Sequence, residues 1–326
     1  MDGKEHQGPL TVSVSVSISF MRWLHHIATE PLYLGDRYAP DSLAREGFVH
    51  CSLRDAVRES AKLYFAGIPE DRLRVLRIDP RRLDAPVRFE ATPRGPMPHV
   101  YGAIPRDAIT EVISPGAVDQ APDEVTGTRF AVVGFAGMTL LDLVGVYDPL
   151  ARLASMGVDP SSSVEIVSAT AEPWEGGGAR LVFSRVRPEL AEFDVVVLAG
   201  GPETRRLRDD SEVTSWLDRF PHNRLVASVC TGALLLGAAG RLRGKRATTH
   251  HLELGSLAGY GAEAAHARVD GAAAGGTSHA RIVDEGQLVT AAGVTAALDL
   301  GLHLVARLYG EDARLRIAER MEWRPA

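Results

Sequence analysis

A chain of 326 residues, 45 % apolar and 24 % charged, has the composition of a soluble globular protein and the length for two domains. Its formal charge of -6 is spread, with no basic tail and no aromatic-basic platform, which argues against nucleic acid as a partner. No apolar run is long and charge-free enough to span a membrane, and the two cysteines, Cys51 and Cys230, fall one in each expected domain, which fits a reducing, cytoplasmic setting rather than a disulfide framework.

Residues 10–20 alternate apolar and hydroxyl side chains. They read equally as an added edge strand or as a disordered extension ahead of Met21, and they lack the long apolar core and cleavage site of a signal peptide. Segment 1–20 is therefore set apart as extended or disordered. Residues 21–115 read as a small α+β domain. Strands are expected at 22–27, 73–78 and 87–89, with a strand or short helical entry at 108–113. A helix is expected over 55–65, with Ala56, Ser60, Leu63 and Tyr64 near one face and Gly67 at its end. Prolines at 86, 93, 96, 98 and 105 cut the chain between these elements into turns. Residues 116–127 have no structural period and many breakers, the signature of a linker.

From 128 to 326 the pattern changes to an alternation of strand and helix. Strands are expected at 130–135, 164–168, 193–199 and 225–229, and helices at 140–156, 211–220 and 233–239. A turn or hairpin passes through 174–178, strands 281–283 and 287–290 face each other across a turn, and helices at 296–308 and 312–321 close the domain. Strands apolar on both faces and separated by helices imply an α/β fold, a mostly parallel sheet covered by helices on both sides. Ligands of such folds sit at the carboxyl ends of strands. Asp142, Gly200-Gly201 and Cys230 all fall at such ends.

The run Val226-Ala-Ser-Val-Cys230-Thr-Gly232 delivers a cysteine from a buried strand to a sharp turn ahead of a small-residue helix. That is how an α/β protein presents a nucleophile, and free N–H groups at a helix start favour thiolate there. An inert core cysteine has the same local pattern. Asp142, inside Leu140-Leu-Asp-Leu-Val-Gly145, reads as a helix cap or as a buried acid of raised pKa, able to serve a thiol as proton donor and base. Thr231 offers a hydroxyl and a backbone N–H beside the thiol. Gly200 and Gly201 form either a simple tight turn or a place where backbone approaches a ligand. His250 can approach from another loop. The adjacent pairs His25-His26 and His250-His251 do not make a zinc spacing.

At Ser228-Val-Cys-Thr-Gly-Ala-Leu-Leu-Leu-Gly-Ala-Ala-Gly-Arg-Leu-Arg-Gly-Lys-Arg-Ala-Thr-Thr-His250 the chain resembles the ThiJ/PfpI branch of the class I glutamine amidotransferase-like superfamily. The resemblance covers about residues 129–323 and is strongest to the isonitrile hydratase subgroup, whose acidic Leu-Asp-Leu-Thr-Gly segment is met here as Leu141-Asp-Leu-Val-Gly145. It implies a flavodoxin-like sandwich with a nucleophile elbow, a homodimer, and hydration of an isonitrile to an N-substituted formamide by Cys230 and Asp142, with Thr231, Gly200 and Gly201 steadying polar atoms and no metal or organic cofactor. The chain departs from the subgroup in four places. Ala199 precedes Gly200-Gly201 in place of proline, Val144 replaces threonine, Val146 follows Gly145 where proline is usual, and His251 follows His250 in place of tryptophan. The last change alters the expected pocket wall of His250 and His251. A glyoxalase-like or other cofactor-free hydratase or lyase reaction on an aldehyde or natural-product substrate uses similar chemistry, and a noncatalytic small-molecule sensor or scaffold is the alternative of a different kind. The core also resembles the first half of AraC-like regulators, which carry a helix-turn-helix after it; here the chain stops at Ala326 soon after the closing helices.

In the first domain, Gly47-Phe-Val-His-Cys-Ser52 and Pro98-His-Val-Tyr-Gly-Ala-Ile-Pro105 stand out. Over about 22–115 the chain resembles a small uncharacterised bacterial family and, distantly, ADP-ribosyltransferase-like proteins. That implies a ligand site in which His50 and Ser52, with His99 or Tyr101 nearby, contact NAD or another phosphorylated ligand. Read as residues alone, His50 fits a core histidine, Ser52 a helix cap and Tyr101 a packing residue, with Glu90 the one acid near the second motif. An accessory or substrate-positioning domain follows, with covering the Cys230 pocket, handling a product and stabilising a dimer all open.

Overall fold

The first third of the chain builds two three-stranded antiparallel sheets, with a further two-residue pairing of Arg37–Tyr38 and Ile104–Pro105. In the computed structural model, which describes residues 22–92, 95–267 and 278–324, strands β1 (Leu24–Thr29), β2 (Val49–His50), β3 (Leu73–Ile78), β4 (Val87–Thr92), β5 (Gly95–Val100) and β6 (Ile109–Ile113) pair in the orders β1-β3-β6 and β2-β5-β4. The alternating segment at 10–20 lies outside the described residues. Helix α1 (Asp41–Glu46) precedes β2, and α2 (Val57–Tyr64) follows it.

Three expectations for this unit are corrected. The inner face of α2 is Val57, Ser60 and Ala61, while Leu63 and Tyr64 are 57 % and 69 % exposed; Val57 and Ala61, one turn apart, pack with Ile27, Val75 and Val118. The prolines at 96 and 98 lie inside β5 rather than in turns. The Pro98 carbonyl accepts from the Cys51 N–H at 2.9 Å, so the missing N–H groups of both prolines face the short β2 and leave the β4–β5 ladder intact. Residues 116–127 are no free linker. A 3₁₀ turn over Pro115–Gln120 buries Val118 against α2. Beyond it Arg22 pairs with Asp123 at 2.6 Å, and Trp23 Nε1 donates to the Glu124 carbonyl at 3.0 Å.

The second part is the expected covered sheet. Strands β7 (Arg129–Gly134), β8 (Ser163–Ser168), β9 (Val195–Leu198), β10 (Leu225–Val229), β11 (Ile282–Asp284) and β12 (Leu288–Ala291) form six strands in the order β8-β7-β9-β10-β12-β11, parallel except for β11. Helices α3 (Leu140–Ser155), α4 (Ser211–Asp218), α5 (Gly232–Ala238), α6 (Ala296–Tyr309) and α7 (Glu311–Arg320) complete it. Helix α3 lies tightly on α6, because a Cβ on Gly145 would come within 2.7 Å of the Ala297 Cβ.

The two parts meet at the amino ends of the parallel strands. Arg81 Nη1 donates to Thr128 Oγ1 at 3.0 Å and stands 3.5 Å from Asp194, while its Nη2 pairs with Asp79 at 2.7 Å. Asn223 Nδ2 donates to the Arg82 carbonyl at 2.7 Å, and Gln287 donates to the Leu83 carbonyl. Thr128, Asp194, Asn223 and Gln287 all lie just before a strand. The small domain is therefore docked on the end of the sheet opposite to the Cys230 turn, so within one chain it does not cover that pocket. Asp79, Arg81 and Asp194 are buried. Removing the guanidinium leaves the Asp79 and Asp194 carboxylates to Arg82 alone, 3.6 Å from each, so Arg81→Ala is expected to cost about 3 kcal/mol. Calorimetry would record a lower midpoint and a separation of the two units' unfolding.

Candidate active site

Strand β10 ends at Val229, and Cys230 takes a φ of 54° before α5 begins. A residue with a side chain is strained there, and backbone bonds hold it. The Cys230 N–H is shared by the Ala291 and Ala292 carbonyls at 3.0 Å each, and the Thr249 hydroxyl donates to the Cys230 carbonyl at 2.8 Å. The end of β9 passes so close that a Cβ on Gly200 would lie 2.6 Å from the Thr231 nitrogen and 2.8 Å from the Cys230 Cβ. Gly200→Ala is accordingly expected to destabilise the fold by about 1–3 kcal/mol and to displace the elbow, read as a lower urea midpoint together with slower alkylation-sensitive turnover.

The acid is set by the same glycine turn. The Thr139 N–H donates to the Gly200 carbonyl at 2.8 Å, fixing the start of α3, and Asp142 Oδ2 accepts the Gly200 N–H at 3.0 Å. Asp142 is 1 % exposed. Burial pushes its carboxyl up to about 7, against the opposing pull of the Gly200 N–H and of the Cys230 thiol within hydrogen-bonding reach. The thiol contact falls short of an aligned hydrogen bond, because Oδ1 is buried with no partner.

Cys230 is 4 % exposed. Burial, and then the Asp142 charge, push its thiol up; the backbone N–H groups of Thr231 and Val294 and the Thr231 hydroxyl work the other way and lose. The amides that from the sequence favour thiolate are thus outweighed by desolvation beside a carboxyl.

Of the two readings the sequence left open for Gly200 and Gly201, the structure has the tight turn, and neither N–H is offered to a ligand. Gly200 serves Asp142, and the Gly201 N–H goes to Thr231 Oγ1 at 2.8 Å, whose hydroxyl donates back to the Gly201 carbonyl at 3.0 Å. Both glycines and the Thr231 side chain thus build the elbow rather than its opening. His250 and His251, with ring centres 4.4 Å apart, line a cavity of about 330 Å³ together with Arg281 and the segment from Ala292 to Thr295. This cavity adjoins the thiol through Val294, whose N–H is directed at Sγ. Sequence reasoning missed Thr249, Arg281, Gly293 and Val294. The signal available was position: residues 292–295 follow the carboxyl end of β12, beside the elbow. Val294 itself has a φ of 37°. Among the described residues no group of three or more His, Cys, Asp or Glu side chains is arranged to hold a metal ion, and no helix is long and apolar enough to cross a membrane.

In the small domain, His50, Ser52 and His99 line a second cavity, of about 800 Å³. Tyr101 does not line it: its hydroxyl donates to Glu90, which also accepts from His99 Nδ1 at 2.7 Å. His26, noted in the sequence only as half of an adjacent pair, and Tyr38 also line this cavity.

Comparison with known proteins bears on both parts. The profile of the DJ-1/PfpI family matches residues 129–307, and one described as a protein of unknown function (DUF952) matches residues 28–112. An isonitrile hydratase of Pseudomonas putida is 33 % identical over 195 residues, 59 % of this chain and 77 % of that protein. A deglycase of Pyrococcus horikoshii is 39 % identical over 71 residues, 22 % of this chain and 42 % of that protein. Among solved structures, a ThiJ/PfpI family protein from Pseudomonas syringae superposes with a TM-score of 0.51 at 29 % identity, over 62 % of this chain and 77 % of that one.

Proposed function

Because the chain belongs to the DJ-1/PfpI family, we propose that Cys230 and Asp142 form the active site of an isonitrile hydratase-like enzyme that converts an isonitrile and water to an N-substituted formamide. The observation that carries this reading is the buried Asp142 carboxyl, held by the Gly200 N–H at 3.0 Å beside the buried Cys230 thiol, where burial raises it to about 7. A carboxyl that ionises near neutrality is suited both to take a proton and to return it.

The ionised Asp142 accepts the Sγ proton as sulfur bonds to the terminal isonitrile carbon, then delivers it to that carbon to give a thioimidate, R–N=CH–S–Cys230. Water adds to the same carbon, its proton passing through Asp142 to nitrogen. The adduct R–NH–CH(OH)–S–Cys230 collapses by C–S cleavage, the sulfur recovers a proton from the hydroxyl by way of Asp142, and R–NH–CHO departs. Thr231 and Val294 amides stabilise charge on sulfur during both steps. His250, His251 and Arg281 form the wall against which the R group rests.

A second reading, glyoxalase-like addition of the thiol to an α-oxoaldehyde, is favoured by the match to the Pyrococcus horikoshii deglycase. A mass-spectrometric screen of isonitriles against α-oxoaldehydes decides between them: formamide from isonitriles supports the first, and hydroxy-acid from α-oxoaldehydes alone supports the second. Binding without conversion, retained in Cys230→Ser and Asp142→Asn, would make the protein a sensor. We further propose that it acts in the cytoplasm as a homodimer, a state that light scattering on the purified chain measures.

A further inference from the structure

We propose that the amino-terminal domain holds a second, independent binding site for a nucleoside-type ligand, a planar heterocycle joined to a hydroxyl-rich group. Its cavity of about 800 Å³ lies in the size range of small-molecule sites. It does not share a wall with the Cys230 cavity, and the docking of the domain on the far end of the sheet separates the two.

The floor is polar. His26 is 7 % exposed, and burial lowers its pKa to about 4, so the ring carries one proton. The His50 carbonyl, 2.7 Å from Nδ1, can only accept, which places that proton on Nδ1; Nε2 then accepts the Tyr38 hydroxyl at 3.0 Å. The Tyr38 oxygen is left as an acceptor, and burial keeps it protonated by pushing it up to about 12. The Ser52 and Ser60 hydroxyls stand 3.1 Å apart in the same wall. His99, whose Nδ1 is held by Glu90, presents Nε2 as its remaining polar atom. The hydroxyls of Tyr38, Ser52 and Ser60 and the neutral His26 ring match sugar hydroxyls and ring nitrogens, groups that both give and accept hydrogen bonds.

The mouth is aromatic. Tyr33, 81 % exposed, and Tyr64 line it, and an exposed phenol ring is a face on which a planar base stacks. The formal charges on the lining, one positive and two negative, leave it slightly negative. Arg45 stands with Asp41 and Glu46, and Glu46 is 2.9 Å from His50 Nε2. A phosphate therefore gains little, and the heterocycle and its hydroxyls carry recognition.

Calorimetric titration of the full chain with adenosine and with AMP tests this. The expected result is saturable binding of both, with AMP no tighter than adenosine and inorganic phosphate unable to compete. Tyr33→Ala is expected to weaken binding about tenfold. Ala39→Trp, which fills the mouth from an exposed alanine, should abolish it, while Cys230→Ser leaves it unchanged. Failure of both probes to bind, displacement by phosphate alone, or binding that survives Ala39→Trp in a chain of native circular dichroism would each overturn the proposal.

Discussion

Cys230→Ser is expected to abolish formamide formation, lowering kcat/KM by about ten-thousandfold or more. The substitution is close to isosteric, so the backbone at φ 54° and the bonds that hold it are kept. What is lost is the nucleophile. A carboxylate ionising at about 7 can take a proton from a thiol, even one raised by burial, but is far too weak a base for a serine hydroxyl. The serine can instead donate to Asp142 Oδ1, which has no partner in the native protein, so stability should hold or rise slightly. Steady-state rates with thermal unfolding on the same sample check both halves. Activity within about tenfold of the native level would remove Cys230 from the chemistry.

Asp142→Asn is expected to separate activity from stability. The amide oxygen keeps an acceptor for the Gly200 N–H, now 3.0 Å from Oδ2, but no longer moves a proton, and turnover should fall about a thousandfold. The native pH profile should rise through about 7 as the base ionises, and the variant's residual rate should lack that limb. Stability moves the other way. The folded carboxyl is raised from 3.8 to about 7, so the advantage of its protonated form is fully present below pH 4 and is lost as pH rises through about 7. The resulting penalty for burying the charge is about 4 kcal/mol above that pH. Asparagine removes it. The variant should therefore unfold at the native temperature at pH 4 and several degrees higher at pH 8, the pattern of a site whose function is kept against stability.

The sheet was legible because its strands are apolar on both faces: 225–229 and 195–198 have no other place than a covered interior. The elbow was legible for the same reason, a buried run ending in Cys-Thr-Gly. What local pattern could not supply was the partner of each polar group. Gly200 and Gly201 read equally as a tight turn or a ligand-facing one until the Asp142 carboxyl and the Thr231 hydroxyl are seen to take their N–H groups. The thiol looks activated until its burial beside a carboxyl is included. In the small domain, Pro96 and Pro98 read as breakers because a single strand cannot reveal that its neighbour is two residues long. The segment 116–127 read as linker because its anchors, Arg22, Trp23 and Arg54, lie far away in the chain.

The claim on which the chemistry rests is that Cys230 itself carries the substrate. Rapid quenching of the native protein with an isonitrile, followed by peptide mapping, tests it directly, with Cys51, buried and pushed up to about 12, as the internal control. The predicted result is a transient adduct of the full isonitrile mass on the peptide containing Cys230, decaying as formamide appears. Formamide released with that peptide unmodified throughout, or an adduct found on Cys51 instead, would contradict it.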